Sequence, residues 1–154
     1  MQHKLLLGSL FVLFFTFQAQ AQFRVGFHHV PSSVFGDAYG LNSFVGIGYQ
    51  IGERFTPEFR IGTNLDLEDL ASGELALLYT LKKKQDMEVY AGFAPGYNGW
   101  LGVNSYAIPI GMNFYPFQTK NFGFHLELAP QIIGEAAVLI RGSWGIRYRF
   151  GQIN

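Results

Sequence analysis

WGIRYRFGQIN, residues 144–154, carries the alternation on which the reading of the whole chain turns. Trp144, Ile146, Tyr148 and Phe150 fall on one parity; Gly145, Arg147 and Arg149 fall on the other. A period of two belongs to an extended strand, whose successive side chains point to opposite faces. One face is apolar and aromatic, and the other joins two guanidinium groups to a glycine. The fold depends on which of these faces meets which environment.

The same period recurs upstream, in stretches of about ten residues set off by turn-like clusters. They are QFRVGFHHV (22–30), GLNSFVGIGYQI (40–51), FTPEFRIGTN (55–64), GELALLYTLK (73–82), MEVYAGFA (87–94), SYAIPIGMNFY (105–115), FGFHLELA (122–129) and a last stretch from Ala137 to Phe150. Phe44, Leu78 and Leu139 depart from the pattern by standing on the polar parity. Connections alternate between short ones (GER, KKQD, PFQTKN) and longer ones (PSSVFGDAY, LDLEDLAS, PGYNGWLGV, PQIIGEA). Eight strands with short turns at one end and longer loops at the other predict an all-β, antiparallel up-and-down barrel.

The N-terminus reads as an export signal. Lys4 is followed by an apolar run from Leu5 to Phe17 and by Ala19-Gln20-Ala21, a small-x-small cleavage site. Residues 1–21 are therefore expected to be a signal peptide and residues 22–154 a single barrel domain. The apolar run is short of the ~20 residues of a membrane-spanning helix, and no later segment approaches one. Cysteine is absent and formal charge balances at 11 basic against 11 acidic residues. These facts argue against a disulfide scaffold, a thiolate metal site and a nucleic-acid partner.

Alternation alone fits two barrels. A soluble calyx points its apolar parity inward around a ligand, whereas a membrane barrel points it outward to lipid. The polar parity decides, because it mixes charge with glycine and alanine rather than with lysine and threonine: Glu58–Arg60–Gly62, Glu74–Ala76, Glu88–Gly92, Gly145–Arg147–Arg149. Glycine weakens a solvated strand but suits a narrow lumen in which large groups need small neighbours. Arg24, Arg60, Arg141, Arg147 and Arg149 are expected to face Glu58, Glu74, Glu88 and Glu127 across that lumen, as a plug of paired charges. Phe55, Phe114, Phe122, Tyr148 and Phe150 near the short turns, with Tyr97, Trp100 and Tyr106 near the long loops, read as two interfacial girdles. A transmembrane barrel is the expectation; a soluble periplasmic calyx for an apolar ligand is the alternative.

With its leader, eight strands and aromatic final strand, the chain resembles the small outer-membrane barrels of the OmpA/OmpX type. SYAIPIGMNFYPF also resembles the aromatic-x-Ile-Pro strand of outer-membrane β-barrel domain proteins of Bacteroidota. The resemblance implies an outer-membrane location in a Gram-negative envelope, lipid and lipopolysaccharide as surroundings, and insertion by the barrel-assembly machinery. The reading is a monomer with a structural or surface-interaction role, and the plug of paired arginines and glutamates argues against an open porin. Gly151-Gln-Ile-Asn154 depart from the family habit of ending on the aromatic.

Few residues suggest chemistry. Ser143, His125 and Glu127 share the inward parity of the last two strands, so a Ser–His–Glu triad is conceivable. Lipid A deacylases use such residues on eight-stranded barrels, yet their His-x-Ser arrangement is missing here. A lumen hydrogen-bond network is the expectation and a lipid A-modifying enzyme the alternative. His28-His29 should point to opposite faces, a poor chelate, and PGYNGWLGVN has neither the lysine nor the following helix of a phosphate loop. No metal or cofactor is expected. The acidic loop with Asp66, Glu68 and Asp69 reads as solvated charge, with a divalent-cation or lipopolysaccharide contact as its sharper interpretation.

Overall fold

The computed structural model describes residues 22–33, 43–63, 70–99, 101–134 and 137–150. Nine strand segments follow one another: β1 Gln22–Ser33, β2 Ser43–Gln50, β3 Phe55–Thr63, β4 Leu70–Lys83, β5 Met87–Asn98, β6 Val103–Ala107, β7 Ile110–Phe114, β8 Phe122–Ile133 and β9 Ala137–Phe150. Each pairs antiparallel with its neighbours, and β1 pairs with β9, from Phe23 opposite Phe150 to Ser33 opposite Arg141. That last pairing closes the sheet on itself. A closed sheet has no unpaired edge.

β6 and β7 are two halves of one stave. Both pair with β5 and with β8, without a change of register across the gap. The barrel therefore has eight staves, and the expected sixth strand is interrupted at Ile108–Pro109. The reason is the missing N–H of proline. Gly92 N–H donates to the Pro109 carbonyl at 2.8 Å and Ile108 N–H donates to the Pro130 carbonyl at 2.9 Å. Neither proline can return the bond, so each pair is closed once rather than twice.

The strands run into all four of the longer connections, and two of these shrink most. PGYNGWLGV and PQIIGEA looked like long loops because each opens on a proline. β5 instead runs through Pro95 to Asn98, and β8 through Pro130 to Ile133. Pro95 pairs with Tyr106 and Pro130 with Ile140. What remains between the strands is residues 99–102 and 134–136, with Gly102 and Gly134 at positive φ. β1 likewise continues through Pro31 to Ser33, with a register shift between His29 and Ser32.

Burial follows the period-two pattern. Along β8 and β9, from Gly123 to Pro130 and from Ser143 to Phe150, buried and exposed residues alternate without exception. The apolar parity is the exposed one and the charged parity is buried. Phe44 and Leu78, which departed from the apolar parity, are buried inside. Lys82 moves the other way: a bulge between Thr80 and Lys82 turns it outward, so Leu81 and Lys82 are both exposed.

Candidate functional site

The lumen holds two groups of ionised side chains. The larger contains Arg60, Arg141, Arg147, Glu58, Glu74 and Glu127, contributed by β3, β4, β8 and β9. Arg60 lies at its centre, 1% exposed. Its Nε donates to Glu58 at 2.7 Å, one terminal nitrogen donates to both Glu74 and Glu127 at 2.9 Å, and the other reaches the second oxygen of Glu127 at 2.9 Å. Arg141 grips Glu74 with two bonds of 2.8 and 3.0 Å. Arg147 lies 2.9 Å from Glu58, and the Tyr90 hydroxyl donates to Glu127 at 2.9 Å. Three guanidinium groups thus face three carboxylates, largely through paired bonds that satisfy geometry and charge together.

The smaller group lies nearer the short turns. Arg24 donates to the two oxygens of Glu88 at 3.0 and 3.3 Å and also to Gln50. Asn113 donates to Glu88 at 3.4 Å. Arg149 lies 3.6 Å from the same carboxylate, with its guanidinium carbon 3.2 Å from the centre of the Tyr115 ring. Two cations share one carboxylate, and an aromatic face takes part of the second cation's charge. Tyr115 ends the expected sixth strand in sequence but was given no lumen role; its side chain is fully buried here. Its one signal was parity: Ser105, Pro109, Gly111, Asn113 and Tyr115 form one series.

Glycine explains how bulky groups fit. Four lumen residues that are not charged lie across a glycine of the adjoining stave: Phe44 opposite Gly62, Leu78 opposite Gly92, Tyr90 opposite Gly111, and Tyr115 over Gly123. A methyl group added at Gly111 would stand 2.5 Å from the Tyr90 ring carbon Cζ; one at Gly123 would stand 2.5 Å from Tyr115 Cδ1. In both places a strand backbone also blocks retreat: the Leu126 carbonyl is 2.8 Å from the first position and the Phe114 carbonyl 2.5 Å from the second. Gly111→Val is therefore expected to destabilise the barrel by about 1–3 kcal/mol, as overpacking does in closely packed interiors. Denaturant unfolding of the variant measures this, and an unchanged midpoint contradicts it.

The three residues weighed for catalysis are neighbours on the inner wall. Glu127 stands opposite Ser143 in register, and His125 stands opposite Gly145. All three are buried. The Glu127 carboxylate, however, is clamped at both oxygens by Arg60 and accepts Tyr90 as well. Among the described residues no group of three or more His, Asp or Glu side chains has the arrangement of a metal site. The side chains of His28 and His29, the acidic segment with Asp66, Glu68 and Asp69, residues 1–21, Trp100 and residues 151–154 lie outside the described residues.

The outer wall is apolar throughout. Val45, Ile47, Phe59, Ile61, Leu75, Phe93, Ile110, Leu126, Leu128, Trp144 and Ile146 are all exposed on it. Toward the short turns it becomes aromatic. Phe55, Phe114, Tyr148 and Phe150 are exposed there and Phe122 is half-exposed, with Phe23, Tyr49, Tyr79, Phe117 and Phe124 added to the set read from sequence. Phe150 meets Tyr148 edge-on at 4.8 Å and Phe23 at 5.6 Å. Toward the other end Tyr97 and Tyr106 are exposed, and Tyr106 stacks on Phe93 at 6.3 Å.

A closed antiparallel barrel of this kind has a counterpart among solved structures. The chain is similar to a protein described as "De novo design of transmembrane beta-barrels", with a TM-score of 0.53 and 15% identity, over 84% of this chain and 94% of that one. The fold is that of an eight-stranded transmembrane β-barrel. At that identity the likeness is one of fold alone. No protein-family model and no curated protein matches the sequence.

Proposed function

We propose that the mature chain is an integral outer-membrane β-barrel of the small OmpA/OmpX kind, exported by residues 1–21 and inserted as a monomer by the barrel-assembly machinery. The observation that carries this reading is the sorting of side chains across the wall. Large apolar residues occupy the outer surface while five arginines and four glutamates are buried inside. In water that arrangement would expose an apolar area far beyond what a monomeric soluble protein carries. In lipid it is the arrangement with the lower free energy, since the strands of a closed sheet hydrogen-bond to one another and leave no open edge. A soluble calyx requires the reverse.

The role is structural or surface-interactive, and the lumen is filled rather than open. A large charge network occupies the middle of the barrel, and Tyr115, Arg149 and Arg24 occupy its turn-side end. The connections 99–102 and 134–136 are too short to offer much adhesive surface, which leaves that role to residues 34–42 and 64–69. Cell fractionation should place the protein in the outer membrane, with a gel mobility that changes on heating. Recovery wholly in the soluble periplasm sinks the proposal. Reconstituted in planar bilayers, the barrel is expected to show no porin-sized conductance, and a stable large conductance contradicts the filled lumen. Incubated with purified lipid A, it is expected to leave every acyl chain in place.

A further inference from the structure

The balanced formal charge of the chain hides a sorted distribution. Apart from Lys4 in the leader, every charged side chain belongs to one of three places. The lumen has five arginines and four glutamates. The three short turns and their flanks have Arg54, Lys82, Lys83, Lys84 and Lys120 against Glu53 and Asp86. The segments joining strands at the other end of the staves have Asp37, Asp66, Glu68, Asp69 and Glu135 and no lysine or arginine.

The basic end is also where the lumen's surplus cation sits, because Arg24 and Arg149 share the single carboxylate of Glu88. Each of the three turns contributes at least one base. Lys82, Lys83, Lys84 and Arg54 are exposed, and Lys82 is exposed only because the bulge after Thr80 turns it away from the lumen. Directly beside this rim stands the denser aromatic girdle, with Tyr79, Phe55, Phe114, Phe117 and Phe122 around the same turns. Aromatic rings settle at headgroup depth, and lysines that flank them reach into the headgroup layer.

We infer that the short-turn rim is a binding surface for anionic glycerophospholipid headgroups, with Lys82–Lys84 as its main contact and Arg54 beside them. The inference rests on the membrane-barrel reading and gives it a direction: the short turns stand in the leaflet that supplies such lipids. Phosphate groups there meet a local excess of positive charge, each base near an anionic surface adding to the attraction. The same headgroups would be repelled by the acidic segments at the far end. Asp86 does not cancel the rim, since it is already paired with Lys120.

The full mature chain, folded into vesicles of phosphatidylcholine alone and of phosphatidylcholine with phosphatidylglycerol, provides the test. In the mixed vesicles phosphatidylglycerol is expected to be retained on the extracted barrel well above its bulk share, and acylation of Lys82–Lys84 should slow several-fold. Both effects should fade as salt is raised. The triple variant Lys82→Gln, Lys83→Gln, Lys84→Gln should lose about tenfold or more of the enrichment. Retention of phosphatidylglycerol at its bulk share, or enrichment indifferent to salt in the unmodified chain, overturns the inference even if the variant fails to fold. Insertion with no lipid preference sinks the rim alone, whereas failure to insert in either vesicle sinks the membrane reading beneath it.

Discussion

Replacing Arg60 by methionine is expected to destabilise the folded barrel by about 3–5 kcal/mol, the usual cost of removing one partner from a buried ionic cluster. Arg60 is bonded to Glu58, Glu74 and Glu127 at 2.7–2.9 Å, so its loss leaves three carboxylates facing two guanidinium groups. Methionine fills much of the same volume, which separates the loss of charge from the loss of packing. Adding Glu127→Leu restores the count at two against two, and the double variant should be more stable than the sum of the single effects predicts. Denaturant titration in detergent or vesicles, run as a double-mutant cycle, reads the coupling. A cost under about 1 kcal/mol for Arg60→Met, typical of an exposed ion pair, would show that the lumen is wet. It would then argue for a water-filled passage instead of a packed plug.

Leu126→Arg probes the opposite wall. Leu126 is 58% exposed, lies midway along β8, and has Met112 and Trp144 as its cross-strand neighbours. On a surface facing water such a change is close to neutral. On a surface facing the middle of a bilayer it is expected to cost about 2–4 kcal/mol. Folding yield and unfolding free energy in vesicles should therefore fall, whereas the same exchange on a wall facing water would leave stability nearly unchanged. Gln131→Arg or another exchange on the inner parity is no substitute, because it alters the lumen rather than the wall. An unchanged folding free energy for Leu126→Arg in lipid removes the basis for placing this face against acyl chains.

The two-residue period made most of the architecture legible. Parity alone separated Trp144, Ile146 and Tyr148 from Arg147 and Arg149, and lumen glycines separated an inside-out barrel from a calyx. Strand ends were less legible. Pro95 and Pro130 read as loop openings, yet in a closed sheet a proline can sit where its neighbour gives up only one bond, as the Ile108 bond to Pro130 illustrates. Lys82 falls on the inner parity of GELALLYTLK, and the bulge that turns it outward is a backbone event with no marker in Leu81-Lys82-Lys83. Phe44 and Leu78 seemed errors of pattern, and only the cross-strand register shows the glycine each one covers. Which glutamate meets which arginine was likewise beyond the sequence, since partners such as Arg60 and Glu127 are 67 residues apart.

The glycine contacts also settle a matter on which parity is silent. Sliding one stave past the next by two residues keeps each strand side chain on its own face of the wall, so neither lipid nor lumen would object on those grounds. Such a slip would, however, carry Tyr90 from Gly111 onto Asn113 or Pro109, and Leu78 from Gly92 onto Tyr90 or Ala94. Each new partner has a Cβ where the ring or branch must lie. The bare positions inside the barrel act as notches that accept one alignment of the staves, and through the sum of those alignments they set how far the strands lean and how wide the closed cylinder is.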